Sequence, residues 1–375
     1  MRRIYFDYNA SSPIANSVIE AMTPFLREGF GNPSSPHWAG RPAREAVERA
    51  RAQIAALLHC QPREIVFTSG GTESNNFALK GTFYRRRSAK HFVISAVEHP
   101  AIRQPLEFLE RHAGARITIV PVDRHGRVDV DRVFEAIIPE TVLVSIMHSN
   151  NEVGTIQPIE QIGHACRERG VLFHTDAAQS VGKVPIDVTA LSCDLLSVAG
   201  HKMQAPKGVG ALYVRDGVEL EPLLHGAGHE RGMRAGTENV LLQVGLGAAA
   251  ELAQRRLEDP EHDRVRRLRD RLQEGVQAAL PGRVTVNGHP EHRLPNTVSI
   301  NFTGRIGQEV LSALEGVAAS TGSACHSGEI ELSGVLAAMR VAPEHGMGAV
   351  RFSLGWDSSE EEVDEVVRLI SERIA

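Results

Sequence analysis

Val171-Leu172-Phe173-His174-Thr175-Asp176 is an apolar run that ends in an acid, and a second such run, Leu195-Leu196-Ser197-Val198, leads into Ala199-Gly200-His201-Lys202. Short apolar runs with polar residues at their ends are typical of buried strands in a parallel sheet. In open α/β sheets, ligands bind outside the carboxyl ends of the strands. The two runs therefore place an aspartate and a lysine where a ligand is expected.

Similar strands recur on the amino-terminal side and alternate with helix-like segments. The segment from Ala43 to Leu58 carries apolar residues at helical spacing. The other predicted strands are Ile65-Val66-Phe67, Phe92-Val93-Ile94, Ile117-Thr118-Ile119-Val120 and Val142-Leu143-Val144-Ser145-Ile146. This alternation predicts an α/β fold with a mostly parallel sheet flanked by helices.

The pattern changes near Leu257. A long charged helix is predicted from there to about Leu280, followed by strands such as Thr297-Val298-Ser299-Ile300 and by a terminal helix. That last helix starts at Ser358-Ser359-Glu360-Glu361, which has the form of a capping box. We therefore predict a domain boundary near residue 256.

Composition narrows the class of protein. At 375 residues the chain is longer than a typical domain, so two domains are expected. The net charge of -5 and the pI near 6.4 argue against a general nucleic-acid or membrane-surface binder. No apolar stretch reaches the ~20 residues of a membrane helix, and the amino terminus does not resemble a signal sequence. A cytoplasmic enzyme is expected, with no membrane or direct nucleic-acid partner.

Lys202 and Asp176 together indicate one cofactor. A lysine just past a strand can form a Schiff base with pyridoxal phosphate, and an aspartate one strand away can keep the pyridinium nitrogen protonated. The turn Gly70-Gly71-Thr72 runs into a helix start, whose exposed backbone amides favour an anion such as a phosphate. Taken alone, such a turn is also consistent with a purely structural role.

The four cysteines lie far apart without a C-x-x-C pair, so neither a metal site nor a disulfide framework is indicated. Cys60, Cys166 and Cys193 have apolar or helical neighbours and are predicted to be inert packing residues. Cys325 lies among glycine, serine and alanine, in a segment suited to a mobile loop. A thiol needs a basic neighbour or a developing cation to act, and His326 is a candidate helper. A buried, unreactive Cys325 is the alternative.

The succession of motifs resembles the fold-type-I pyridoxal-phosphate enzymes, and within them the cysteine desulfurases of the class V aminotransferases. The resemblance extends from Tyr5-Phe6-Asp7-Tyr8-Asn9-Ala10 to Arg351-Phe352-Ser353-Leu354-Gly355, nearly the whole chain. It implies a large cofactor-binding domain of residues 13–256. A smaller α+β domain, made of residues 1–12 and 257–375, would carry the catalytic cysteine loop.

The resemblance implies a set of cofactor-binding residues: Gly71, Thr72, His99, Asn151, Asp176, Gln179, His201, Lys202 and Thr237. Among them, Gly71 and Thr72 bind the phosphate, and His99 stacks on the pyridine face. Gln179 contacts the phenolic oxygen. Thr237 crosses to the partner subunit's cofactor phosphate, so a homodimer is implied.

The implied catalytic residues are Lys202, Cys325 and His99, and the implied substrate-binding residues are Asn151 and Arg351. Asn151 contacts the cofactor's phenolic oxygen and also steers the substrate. Arg351 grips the substrate carboxylate, for which a guanidinium fork is well suited. Cys325 receives sulfur from the substrate as a persulfide. The long spacing from Cys325 to Arg351 resembles the desulfurases that have a mobile catalytic loop.

The chain departs from the family pattern at Ala199, where relatives usually carry a serine. A hydroxyl expected on the phosphate is missing, so weaker cofactor retention is expected unless Ser197 or a water substitutes. Met203-Gln204-Ala205 also differs from the usual aromatic-glycine pattern.

The resemblance implies an L-cysteine desulfurase, a sulfurtransferase that yields L-alanine and an enzyme-bound persulfide. The implied partner is a sulfur-acceptor protein, either a scaffold or a thiolation factor. Iron-sulfur assembly, tRNA thiolation and DNA phosphorothioation all fit. Two alternatives stay open: a selenocysteine lyase, because Ala-Cys-His around Cys325 occurs in that class too, and a sulfur-relay component that is active mainly with a partner protein.

Overall fold

The computed structural model describes residues 3–86, 90–326 and 329–374, without the side chains of residues 323–326 and 329–330. In chain order the strands are β1 Ile4–Tyr5, β2 Ile65–Thr68, β3 His91–Ser95, β4 Arg116–Val120, β5 Thr141–Ser145, β6 Leu172–Asp176, β7 Leu195–Ala199, β8 Gly210–Val214, β9 Val284–Asn287, β10 Thr297–Phe302, β11 Val317–Ala318, β12 Ser320–Thr321, β13 Ser323–His326, β14 Glu329–Leu332 and β15 Ala349–Ser353. The α-helices are α1 Asn16–Arg27, α2 Gly40–Leu58, α3 Gly71–Arg85, α4 Pro100–Ala113, α5 Val130–Ala136, α6 Ile159–Glu168, α7 Val240–Glu258, α8 Arg264–Ala279, α9 Gly307–Ala313, α10 Gly334–Ala338, α11 Pro343–Gly346 and α12 Glu360–Arg373.

The main sheet has seven strands in the order β2-β8-β7-β6-β5-β3-β4. The strands from β7 to β4 pair in parallel, whereas β8 is antiparallel to both of its neighbours. The predicted mostly parallel sheet is therefore confirmed. Because parallel strands end at one edge, the polar residues after β3, β5, β6 and β7 meet there.

Both faces of this sheet are covered, which explains why its strands are apolar without alternation. Successive side chains point to opposite faces, so Leu195 and Leu196 of β7 belong to two different hydrophobic cores. Helices α2 and α7 contribute to one core, and α3 and α4 contribute to the other. The sheet edge that carries the polar residues is thus held by packing on two sides.

A second sheet, in the order β12-β15-β10-β9, is antiparallel and packs against α8 and α12. Its core contains Leu272 and Ile370 and also Ile4 and Phe6 from the amino end of the chain. β1 pairs in parallel with β11. The amino-terminal residues therefore pack with the carboxy-terminal part, while the domain boundary near residue 256 stays a prediction.

The predicted single charged helix from Leu257 to Leu280 is wrong. Leu257 belongs to α7, which ends at Glu258, and α8 starts only at Arg264. Pro260 explains the break, because a proline disfavours helical backbone in the residue before it, and Asp259 is extended with φ -69° and ψ 134°. The capping box of α12 lies one residue later than predicted, between Ser359 and Glu362.

In the part of the chain that the structure describes, no helix is both long and apolar enough to cross a membrane.

Candidate active site

A cavity of about 610 Å³ opens at the carboxyl edge of the main sheet. It collects side chains from segments far apart in the sequence. The predicted site residues on its wall are Gly71, Thr72, His99, Asn151, Asp176, Gln179, His201, Lys202 and Arg351. The structure thus brings most of the predicted site into one place.

Asp176 ends β6, and Lys202 ends a single 3₁₀ turn that follows the neighbouring strand β7. The Asp176 carboxylate accepts hydrogen bonds from Asn75 Nδ2 at 2.7 Å and from the Ala178 amide at 2.9 Å. Burial lowers the pKa of Lys202, although the charge of Asp176 opposes this effect. A lowered pKa favours the neutral amine that a carbonyl-bearing cofactor requires.

Helix α3 points its amino end at the cavity. Gly70, with φ +146°, makes the turn, and the amides of the first helical turn are free of intrahelical partners. The nearby Glu73 carboxylate is paired with Arg234 at 2.9 Å and accepts the Ser69 amide at 2.8 Å. This pairing offsets the negative charge of Glu73, so the helix start suits a phosphate.

His99 is the N-cap of α4, and its Nδ1 accepts a hydrogen bond from the Ala101 amide at 3.1 Å. Burial lowers its pKa, opposed by Asp176 and reinforced by Lys202. The neutral ring is therefore favoured, with its proton on Nε2. This arrangement leaves the Nε2–H group available as a donor in the cavity.

Arg351 is buried and already has partners. Its guanidinium donates to Asp7 Oδ1 at 2.6 Å, to Ser320 Oγ at 2.9 Å and to the Asn151 carbonyl at 3.0 Å. Its Nε has no partner among the described residues. A bound carboxylate would therefore meet an arginine that Asp7 holds in place.

Gln179 and Asn151 are joined through Asn9, which comes from the amino-terminal segment. Gln179 Nε2 donates to the Asn9 carbonyl at 3.0 Å, and Asn9 Nδ2 donates to the Asn151 carbonyl at 3.2 Å. Asn9 Nδ2 also reaches Thr297 Oγ1 in β10, at 2.9 Å. The network ties the cavity wall to the second sheet.

Ala199 lies on the cavity wall next to the helix start, and a Cβ built at Gly71 would lie 3.2 Å from the Ala199 Cβ. Ser197 does not line the cavity. Its buried hydroxyl is hydrogen-bonded to His174 Nε2 at 3.0 Å. Within the described residues, the structure therefore gives Ser197 no place as a substitute for the missing hydroxyl.

Thr237 does not line the cavity and lies on an exposed loop. The preceding part of that loop is anchored by Glu230, whose carboxylate accepts two hydrogen bonds from Arg51 at 2.7 and 3.0 Å. The role of Thr237 across a subunit interface stays a prediction.

Cys325 lies on β13, paired in antiparallel register with β14, and its side chain is outside the described part of the structure. The other cysteines are poor nucleophiles. Burial raises the pKa of Cys60 and Cys166 to about 12 and raises that of Cys193 further. These directions agree with the predicted packing roles of the three residues.

Sequence reasoning assigned no role to Asn75, Asp7 or Asn9, although each binds a predicted site residue. Asn75 follows the glycine turn closely, and Asp7 and Asn9 lie in the amino-terminal segment that carries the family resemblance. No local sequence pattern indicated their contacts with the site.

Pyridoxal phosphate fits this set of groups. The cavity combines a lysine of lowered pKa, a hydrogen-bonded aspartate and a helix amino end. Asn75 Oδ1 and His201 Nδ1 are buried polar atoms that lack a partner among the described residues. Such atoms are satisfied when a polar ligand is bound.

Comparison with known proteins agrees with this geometry. The aminotransferase class-V family model matches residues 4–366. The chain is 46% identical to the cysteine desulfurase IscS of Dictyoglomus turgidum over 376 residues, covering 100% of this chain and 94% of the relative. It is also 46% identical to the cysteine desulfurase IscS of Methanosarcina thermophila, covering 99% and 92%.

Solved structures give the same result. A NifS-like protein superposes with a TM-score of 0.92 at 36% identity, covering 99% of both chains. A structure of SspA in complex with cysteine has a TM-score of 0.81 at 38% identity, covering 94% of this chain and 98% of the other. The chain therefore belongs to the aminotransferase class-V family, and within it to the cysteine desulfurases. The predicted pyridoxal-phosphate dependence and desulfurase activity are confirmed by these relatives.

Proposed function

We propose that the cavity binds L-cysteine beside pyridoxal phosphate and that its sulfur passes first to Cys325 and then to an acceptor protein. The main support for this proposal is that Lys202 and Asp176 line the same cavity, at the carboxyl ends of two adjacent strands. When bound, pyridoxal phosphate withdraws electrons from the substrate's α-carbon. The chain's own residues supply the binding, orientation and proton transfer.

Lys202 holds the cofactor in this proposal and moves protons at the α-carbon and the substrate sulfur. Burial lowers its pKa, which favours the neutral amine that can act as a base. Asp176 keeps a positive charge on the cofactor's ring nitrogen, and Asn75 and the Ala178 amide fix the carboxylate. His99 assists proton transfer through its Nε2–H group.

The phosphate is bound by Gly71, Thr72 and the free amides of α3. Thr237 of the partner subunit adds a hydroxyl, so we propose a homodimer. The exposed position of Thr237 and the anchoring of its loop by Glu230 and Arg51 support this assignment. His201 also lies on the cavity wall, and its buried Nδ1 has no partner in the part of the chain that the structure describes.

Arg351 binds the substrate carboxylate, and Asn151 orients the substrate. Among the described residues the Nε of Arg351 has no acceptor, which supports this role, because a buried donor without an acceptor is costly and a carboxylate satisfies it. Asp7 and Ser320 keep the guanidinium in position.

Sulfur is transferred by nucleophilic attack. The Cys325 thiolate attacks the substrate sulfur, the bond between that sulfur and the substrate β-carbon breaks, and the carbon fragment is protonated to L-alanine. The product on the protein is a persulfide at Cys325, which an acceptor protein takes over. The glycine, serine and alanine residues around Cys325 in the sequence support this role.

The central test is Lys202→Ala, with Lys207→Ala as the matched control because Lys207 also lines the cavity. We expect Lys202→Ala to lose the visible absorbance of the bound cofactor and the release of alanine from L-cysteine. Lys207→Ala should keep the visible absorbance. A Lys202→Ala protein that stays yellow and forms alanine would refute the assignment.

The acceptor is identified by a second measurement. Sulfide release and alanine formation are compared with and without candidate acceptors, and L-selenocysteine is tested as an alternative substrate. A rate that rises only with a partner favours the sulfur-relay alternative. A preference for selenocysteine favours the lyase. The cytoplasmic location stays a prediction.

A further inference from the structure

Lys183 is a buried lysine that the proposed reaction does not use. Its ammonium group donates to Asn9 Oδ1 and to Gln179 Oε1, both at 3.0 Å. Burial lowers its pKa well below the ordinary value, and the charges of Lys202 and Arg351 lower it further. Within the described part of the chain it has no carboxylate partner. Burying an amine near the charges of Lys202 and Arg351 lowers the stability of the fold. The contacts that Lys183 makes suggest a function for it.

The function suggested by these contacts concerns Gln179. A side-chain amide can exchange the positions of its oxygen and nitrogen by a half-turn rotation, and Lys183 contacts one of these two atoms. The Gln179 oxygen accepts from Lys183, and its nitrogen donates one N–H to the Asn9 carbonyl at 3.0 Å. Gln179 is buried and lines the cavity. Since the amide nitrogen carries two protons, one N–H remains for a ligand.

Asn9 is fixed in the same way. Its Oδ1 accepts from Lys183 and from Asn296 Nδ2 at 3.1 Å, so its Nδ2 must be the donor to Asn151 and Thr297. In its protonated form Lys183 only donates, so it favours the same orientation of both amides that the backbone carbonyls of Asn9 and Asn151 favour as acceptors. An acceptor at the same place would favour the opposite orientation of both.

We propose that Lys183 is a positioning residue that makes Gln179 present an N–H group to the cofactor's phenolic oxygen. The inference rests on the proposed function, because it takes Gln179 to be a ligand of that oxygen. Without Lys183, the Gln179 oxygen loses its donor, and of the two bonds to this amide only the one to the Asn9 carbonyl still favours its orientation. The phenolic oxygen then loses a hydrogen bond that stabilises its ionised form.

The test measures the pH midpoint of the visible spectrum of the cofactor-loaded protein, a property separate from turnover. Loss of a donor to the phenolic oxygen raises this midpoint, because the ionised oxygen becomes less stable. We expect Lys183→Met to raise it by roughly one pH unit, since the net worth of one hydrogen bond corresponds to about one pKa unit.

Two further variants separate positioning from a simple charge effect. Gln179→Leu should raise the midpoint by a similar amount, and adding Lys183→Met to Gln179→Leu should raise it no further. A lysine that acted only by its charge would give additive shifts. Lys183→Gln keeps a donor without the charge, and it should recover at least half of the shift seen in Lys183→Met.

The outcomes distinguish this inference from the function on which it rests. If Gln179→Leu leaves the midpoint unchanged, the proposed role of Gln179 fails, and the inference about Lys183 fails with it. If Gln179→Leu shifts the midpoint but Lys183→Met does not, only the inference about Lys183 is refuted. Additive shifts in the double variant also refute it. Should Lys183→Met not fold, Lys183→Gln decides, because a shift in that variant as large as the shift of Gln179→Leu refutes the donor role.

Discussion

Glu98 is a fully buried carboxyl group next to His99. Its Oε1 accepts hydrogen bonds from Ser95 Oγ at 2.5 Å and from the Met147 amide at 2.9 Å, while Oε2 has no partner among the described residues. Burial raises its pKa to about 8. The neutral form of the group is therefore favoured in the folded protein, and its hydrogen bonds connect the end of β3 with the residues that follow β5.

This raised pKa predicts a pH dependence of stability. A raised carboxyl pKa contributes stability at acidic pH, which is lost as pH rises from the unfolded value near 4.5 towards 8. Glu98→Gln removes the titration. Relative to the variant, the parent's free energy of unfolding should fall by on the order of 1–3 kcal/mol between pH 5 and 8. Urea unfolding of the cofactor-free proteins measures this, and parallel pH profiles would contradict it.

In the proposed function, the transfer of sulfur from the substrate to the protein depends on Cys325. Cys325→Ser should keep the cofactor on Lys202 and still change its spectrum when L-cysteine is added. Sulfur transfer should stop, because a serine hydroxyl is far less nucleophilic than a thiolate near neutral pH. Mass spectrometry after one turnover should find an added sulfur on the Cys325 peptide of the parent protein and none in the variant. The added sulfur on Cys60, Cys166 or Cys193 instead would remove Cys325 from the mechanism.

The site residues that directly follow a predicted strand could be identified from the sequence. Asp176 and Lys202 each come just after an apolar run, so their shared edge followed from the parallel sheet. The partners of these residues were not predictable. Asn75, Asp7 and Asn9 reach the site through tertiary contacts, and nothing in the local sequence indicates such a contact.

Among the elements, α2 and α7 pack unusually closely at Gly247. A Cβ built at Gly247 would lie 2.5 Å from the Ala50 Cα, which is backbone and cannot turn aside. Gly247→Ala should therefore push the helices apart and lower the free energy of unfolding by about 1–3 kcal/mol. Gly334→Ala is the matched control, because among the described residues no atom outside its own helix lies within 4 Å of its Cβ position. Equal denaturant midpoints for both variants would show that the helices adjust freely.

Strands β2, β3, β5, β6, β7 and β10 and helix α2 were predicted at this scale, because their apolar pattern matches the observed burial. The break between α7 and α8 was missed because charged residues continue on both sides of it. Pro260 was the available signal, and its effect on Asp259 outweighs the helical preference of the flanking residues.

At the scale of the whole molecule, Phe30 and Trp38 are each 77% exposed, and their rings meet edge to face with centroids 6.4 Å apart. Exposed clusters of large apolar side chains mark interaction surfaces. We expect this pair to lie in the interface of the proposed homodimer. Trp38→Glu should then shift the protein towards monomer and speed the loss of cofactor, because Thr237 of the partner subunit would no longer reach the phosphate.

Sedimentation velocity of the loaded protein measures the mass, and dialysis followed by absorbance measures retention of the cofactor. Tyr84→Glu serves as a control, since Tyr84 is another exposed aromatic residue, at 53%. A dimeric Trp38→Glu protein, or equal loss of dimer in both variants, would place the interface elsewhere.

The contacts of Asp7 and Asn9 with residues of the cavity wall affect how the protein should be prepared for kinetic measurements. Both residues lie close to the amino end of the chain, and they hold Arg351 and Gln179 in place. An affinity tag fused at that end would be attached only a few residues before these contacts. We therefore expect it to lower the measured turnover rate more than a tag attached behind α12.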